Sequence, residues 1–193
     1  MKSTQKHKLL ESVELELLTD DPTPELRKQA TQLVFGHGNV DASIVIIGEA
    51  PGKKEDETGQ PFVGASGKML DQLLDSVGLK RDDIYITNIV KYRPPNNRDP
   101  KKSEKEAMWP YLVEQLRIIK PKVVVTLGRH SGAHFVADLE MSRDHGQTRA
   151  VSGILEGNDE LNILTLYHPA AALYNGSLRD TLFIDFQTVA DFI

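Results

Sequence analysis

Residues 43–68 read SIVIIGEAPGKKEDETGQPFVGASGK, and this stretch decides the fold. The run SIVIIG has too few polar residues for a strand with one wet face, so it predicts a parallel strand buried on both sides. Gly48 and Gly52 let the backbone turn at the strand's carboxyl end, where open α/β sheets place their ligands. Two later stretches are built the same way: ITNIVKYRPPNNRDP at 86–100 and LTLYHPAAALYN at 164–175. Each is a β-rich run that opens into a polar loop carrying proline. Three such loops on neighbouring strand ends form one cleft, and function is expected there.

Outward from this stretch, strands are predicted in DDIYITNIV (82–90), KVVVTLG (122–128) and LNILTLYHP (161–169). Between them, Met69, Leu70, Leu73, Leu74 and Val77 form a helical stripe stopped by Gly78. A second helix is expected from Ser103, with Glu106 completing a capping box, to about Ile119, with a kink at Pro110. A third is expected in RHSGAHFVADL (129–139), and a closing one in 177–193 with Leu182, Phe186 and Val189 inward. Residues 141–160 read as irregular or as a small hairpin, and 1–32 as a helical segment packed on the rest. Strands alternating with helices predict an α/β fold: a three-layer α/β/α sandwich, one domain over 1–193, around a central four-stranded parallel sheet.

Composition narrows the chemistry. With no Cys, the chain has no disulfide, thiolate nucleophile or cysteine-held metal cluster. No apolar run approaches bilayer length and the N-terminus lacks a signal-peptide pattern, so the cytoplasm is the expected compartment. The net charge of -5 argues weakly against a nucleic-acid partner. Against it, Lys91, Arg93, Arg98, Lys101, Lys102 and Lys105 crowd one loop, and a local positive field can survive an acidic total.

Several motifs fail. GASGK lacks the phosphate-loop spacing, and Met69 stands where a magnesium ligand is needed. His130 and His134 lie four apart, but no carboxylate in that segment completes a zinc motif, so a surface or core pair is expected. What remains are neutral recognition groups. Phe62 reads as a stacking platform or a core plug. Asn88 suits one edge of a pyrimidine, or caps backbone. His168, before Pro169, is a donor to an oxygen that gains charge, or a structural histidine.

The chain resembles the uracil-DNA glycosylase superfamily, and within it the iron–sulfur-bearing family four. The matching motifs are GEAPG at 48–52, TGQPFVGASGKMLDQLL at 58–74, YITNIVKYRPPNNRDP at 85–100, PKVVVTLG at 121–128 and YHPAAAL at 167–173. The resemblance implies hydrolysis of the N-glycosidic bond of deoxyuridine in DNA after the base leaves the stack. It implies Phe62, Asn88, Gly48 and Ala50 around the uracil, with His168 stabilising the departing base. Glu49 or Glu55 would orient the water, and a wall near Glu55 and Gly59 would exclude thymine. Lys91, Arg93, Arg98, Lys101 and Arg129 would face phosphates, and Leu173 or Tyr174 would fill the vacated stack.

The departure from family four is its cluster. Two of the four cysteine positions hold Tyr92 and Met108, and the N-terminal pair is missing. The expectation is therefore an enzyme without metal or cofactor. Tyr92, Met108, Trp109 and the LLESVELELL segment (9–18) would replace the cluster's structural task by packing. The expected partner is uracil-containing DNA, single- or double-stranded, bound by a monomer with no membrane association. The alternatives are a silent DNA- or inhibitor-binding relative and a glycosylase for hypoxanthine or xanthine.

Overall fold

The computed structural model describes residues 1–155 and 160–193. Its sheet has six strands in the order β1-β3-β2-β4-β6-β5. The strands are β1 (His37–Gly38), β2 (Ile44–Gly48), β3 (Tyr85–Asn88), β4 (Val123–Leu127), β5 (Thr148–Val151) and β6 (Leu161–Leu166). This corrects the expected four-stranded parallel sheet. The contiguous set β3-β2-β4-β6 is parallel, but β1 and β5 pair antiparallel to β3 and β6 at the two edges. Neither edge strand has a continuous apolar run. β1 is two residues long and β5 alternates between half-buried and exposed. Within 141–160, expected as irregular or as a small hairpin, β5 pairs not with a second strand of that stretch but with β6, the expected fourth strand, and residues 156–159 lie outside those described.

Both faces of the sheet are covered, which is why its inner strands are apolar throughout. Ile44, Ile46, Val123, Val125 and Leu164 point to one side, and pack with α4 (Ala65–Ser76) and α9 (Gly176–Phe186) through Leu70, Leu73, Leu182 and Phe186. Val45, Ile47, Val124 and Ile163 point to the other side. There they meet α1 (Ser3–Asp20) and α5 (Lys102–Ile119) through Leu10, Val13, Leu17, Leu112 and Leu116. Alternate residues of each strand thus serve opposite layers of an α/β/α sandwich.

Helix starts differ from expectation. α5 begins one residue earlier than expected, because Glu104 accepts the Lys101 N–H at 2.7 Å in place of the Ser103/Glu106 pair, and it runs unbroken through Pro110. The helix expected over 129–139 is only α6 (Arg129–Gly132), followed by turns. The short α-helices are α2 (Pro24–Arg27), α3 (Lys53–Thr58), α7 (Met141–Asp144) and α8 (Pro169–Tyr174), of which α3 and α8 carry site loops, and the helix expected to 193 is α9 followed by a 3-10 turn at Gln187–Phe192. Among the described residues, no helix is long and apolar enough to cross a membrane.

Candidate active site

The carboxyl ends of β2, β3, β4 and β6 open into one cleft of about 500 Å³. Glu49, Ala50, Glu55, Phe62, Asn88, Arg98, Arg129 and His168 all line it, so the three predicted loops do converge. Gly48, expected around the uracil, does not line the cleft itself but ends β2 against Phe62 and Asn88. A Cβ there would collide with the Asn88 amide oxygen and stand 2.6 Å from Phe62 Cζ, so the ring and the amide close over this residue only because it is glycine.

Phe62 is buried and sits at φ 54, in the left-handed region that β-carbon-bearing residues rarely adopt. Something must hold it there. Arg81 does: its guanidinium donates to the Phe62 carbonyl, and to Pro61 O and Gly67 O at 3.3 Å each, while Asp71 fixes it at 2.6 Å. Gly67 lets the Phe62 carbonyl approach α4, where any Cβ would overlap it. Arg81 and Gly67 were not singled out in the sequence. Arg81 lies 19 residues from Phe62, and no local pattern links them.

Asn88 closes β3 and is 2% exposed, and its side-chain oxygen has no hydrogen-bond partner among the described residues. A buried amide oxygen left open at a cleft wall is set to meet a ligand. His168 is the N-cap of α8, and its Nδ1 accepts the Ala170 N–H at 3.1 Å. That bond makes Nδ1 the acceptor nitrogen, so a neutral ring carries its proton on Nε2. Burial pushes the His168 pKa down to about 4, so the ring is neutral at physiological pH. Its ring centroid lies 5.9 Å from that of Phe62, and a Cβ on Gly128, at φ 88, would come within 3.1 Å of His168 Cβ.

The two acids differ. Glu55 accepts the Val63 and Gly64 N–H groups at 2.9 and 2.8 Å through one oxygen, so it holds the Phe62 loop as well as lining the cleft. Gly59, expected beside it in a wall, packs instead toward Gln32 and Leu33. Glu49 stands outside the Phe62 loop's hydrogen bonds: desolvation raises its pKa, against the pull of His130 and Lys105, and its buried Oε1 has no hydrogen-bond partner among the described residues. His130 Nδ1 lies 3.6 Å from Glu49 and His130 Nε2 3.8 Å from Asp99. His130 is thus a cleft residue rather than the surface or core pair with His134 that its spacing suggested. The signal missed was long-range: its carboxylate neighbours come from two other loops. Glu49, Asp99 and His130 are the one trio among the described residues close enough to share a cation, but Lys105, 3.7 Å from Glu49, already supplies a positive charge.

A family model, the uracil DNA glycosylase superfamily, matches residues 35–188. The chain belongs to this superfamily. The type-4 uracil-DNA glycosylase of Archaeoglobus fulgidus is 45% identical over 170 residues, covering 86% of this chain and 85% of that protein. The type-4 enzyme of Sulfurisphaera tokodaii is 46% identical over 164 residues, 83% of this chain and 74% of its own. That of Thermotoga maritima is 38% identical over 170 residues, with 87% and 86% covered.

Within the superfamily, the cluster of family four cannot be held here. Tyr92 and Met108, which the resemblance sets at two of its ligand positions, are 2% and 0% exposed, packed with Leu10, Val13 and Leu17 of α1. Neither offers a thiolate, and Trp109 packs against the same group.

The basic loop needs one correction. Lys91, expected at a phosphate, is completely buried: its Nζ donates to Thr87 Oγ1, Asn88 O and Gln115 Oε1 at 2.6, 2.8 and 2.6 Å. Its four-carbon stem carries the amine inward, so it reaches no DNA. Arg98 lies in the cleft wall with its guanidinium bound by Glu104, and Arg93 donates to Asn97 at 2.7 Å. Lys101 and Arg129 are exposed, as are Leu173 (40%) and Tyr174 (91%) on α8, just past His168.

Proposed function

We propose that this protein excises uracil from DNA by hydrolysing the bond between the base and deoxyribose. The observation that carries the reading is the convergence of Phe62, Asn88 and His168 on one cleft, with the His168 proton directed to Nε2. An extruded base enters a cleft that a duplex-stacked base cannot reach, at a cost of a few kcal/mol in unstacking. Phe62 stacks on the ring. The Asn88 amide takes the edge that carries O4 and N3, a donor–acceptor pair that cytosine presents in reverse. As the C1′–N1 bond breaks, its electron pair moves onto the base, and the remaining carbonyl oxygen, O2, gains charge. The neutral Nε2–H of His168 donates to that oxygen. Water held by Glu49 attacks C1′ and loses its proton as the bond forms; the raised pKa of this carboxylate suits proton acceptance. Glu55 acts by fixing the loop under Phe62.

Lys101 and Arg129, with the cleft-wall Arg98 and with Arg93, supply the phosphate contacts, and Leu173 with Tyr174 occupies the gap in the stack. Single-turnover cleavage of matched oligonucleotides carrying uracil, hypoxanthine, xanthine or no lesion tests the reading. Cleavage confined to uracil is expected. Cleavage of none, with DNA binding intact, would show a silent relative and overturn it.

A further inference from the structure

Among the described residues Lys91 is the one charged residue with no exposed surface, and the mechanism above leaves it without a task. Its three partners all accept. Thr87 Oγ1 spends its own proton on Phe35 O at 2.7 Å, and Gln115 turns its Nε2 to Phe35 O and the Tyr85 hydroxyl at 3.1 and 3.2 Å, which leaves Oε1 for the lysine. The third acceptor is the main-chain carbonyl of Asn88. Three acceptors call for the three N–H groups of an ammonium, at a depth where burial drives the pKa well below the ordinary lysine value. A methionine would fill the same volume without that desolvation cost. A position chosen for packing alone would not carry it.

The place it holds explains the cost. Asn88 is the last residue of β3, and beyond it only Ile89 N to Gly48 O and Val90 N to Glu49 O, both 3.0 Å, continue the pairing with the first loop. We propose that Lys91 is a positioning residue for Asn88. It bonds the Asn88 carbonyl and ties it, through Gln115, to α5 and, through Thr87, to the segment carrying Phe35, so that the side-chain amide on the same residue stands at one fixed angle to the base. This inference rests on Asn88 being the uracil-reading group.

The test is a double-mutant cycle on single-turnover uracil excision, with affinity for undamaged DNA measured alongside. Lys91→Met should slow excision about tenfold with undamaged-DNA affinity unchanged, equivalent to about 1.4 kcal/mol. In an Asn88→Ala background the same change should slow it no further, because the group it aims is gone. Equal losses in both backgrounds, or none in either, would overturn the positioning role. An Asn88→Ala protein that excises at the wild-type rate would instead remove the reading of Asn88, and this inference with it. Should Lys91→Met fail to fold, Thr87→Val removes one of the three anchors with little change of shape. It should slow excision about threefold only when Asn88 is present, and Thr87→Ser, which keeps the hydroxyl, should recover the loss. Equal slowing by Thr87→Val in both backgrounds would refute the proposal as firmly.

Discussion

Replacing His168 by Ala removes a donor aimed at charge that exists mainly in the transition state. Binding of uracil-DNA should therefore hold within a few fold, while the chemical step slows by about 10²–10³, or ~3–4 kcal/mol, the scale of one lost donor to a developing oxyanion. The state of the ring sharpens the expectation. With its pKa pushed down to about 4, His168 is only ~1% protonated at about pH 6 and ~0.01% at about pH 8. A neutral Nε2–H serves equally well across that range, so the single-turnover rate should not fall between those limits. An essential imidazolium would lose a factor of ten per pH unit above its pKa. The assay is rapid-quench cleavage of a uracil-containing oligonucleotide at saturating enzyme, with affinity measured by anisotropy on a non-cleavable analogue. A variant that cleaves at the wild-type rate but binds a hundredfold more weakly would refute the assignment, and so would a wild-type rate that decays steadily above neutral pH.

The same histidine makes stability pH-dependent. Its folded pKa of about 4 lies below the ordinary 6.5, so its contribution is fully present above about pH 6.5 and is lost as pH falls toward 4, by an order of ~3 kcal/mol. Urea unfolding of wild type and His168→Ala at a series of pH values should show the shallower acid slope in the variant; parallel slopes would count against it. Asn88→Asp should turn a donor into an acceptor, depress uracil excision, and raise the ratio of cytosine to uracil cleavage in a competition assay; an unchanged ratio argues that Asn88 does not read the edge. Arg81→Ala frees the Phe62 carbonyl and should lower the thermal midpoint, with a ΔΔG of about 1–3 kcal/mol, and weaken uracil-DNA binding, both of which calorimetry and titration can deny. Changing Lys101 and Arg129 together to Ala should weaken uracil-containing and undamaged DNA alike and flatten the log–log salt slope by about 1.8, whereas a loss confined to uracil-containing DNA would place them in the pocket instead.

Much of the scaffold is legible because its signals are local. IVIIG and VVVTL are continuous apolar runs, and each became an inner strand with both faces covered. His37–Gly38 and Thr148–Val151 show no such run, since an edge strand needs only one dry side and two residues suffice to pair. In the cleft, Phe62, Asn88 and His168 could be singled out because each closes a strand or sits in a glycine- or proline-marked turn. Lys91 and His130 were misplaced for the opposite reason. A lysine among prolines, arginines and asparagines reads as wet, and only the fold reveals Gln115, 24 residues on, waiting for its amine. Likewise Glu49 and Asp99 reach His130 from loops 81 and 31 positions away along the chain, a distance no helical or strand period encodes.

The seam between α1 and α5 has a consequence for the life of the molecule. A domain closed by an inorganic cluster has two covalent states, loaded and empty, and its working fraction follows metal supply and oxidant exposure. Here Tyr92, Met108 and the leucines of α1 fill that seam as part of the polypeptide. With no cysteine there is no such cluster to load and no cluster-free form to unfold. Chelators should leave its midpoint of unfolding where it was. The folded fraction should then not depend on iron supply, and activity of this kind would persist through iron starvation, when a cluster-bearing relative runs short of its scaffold.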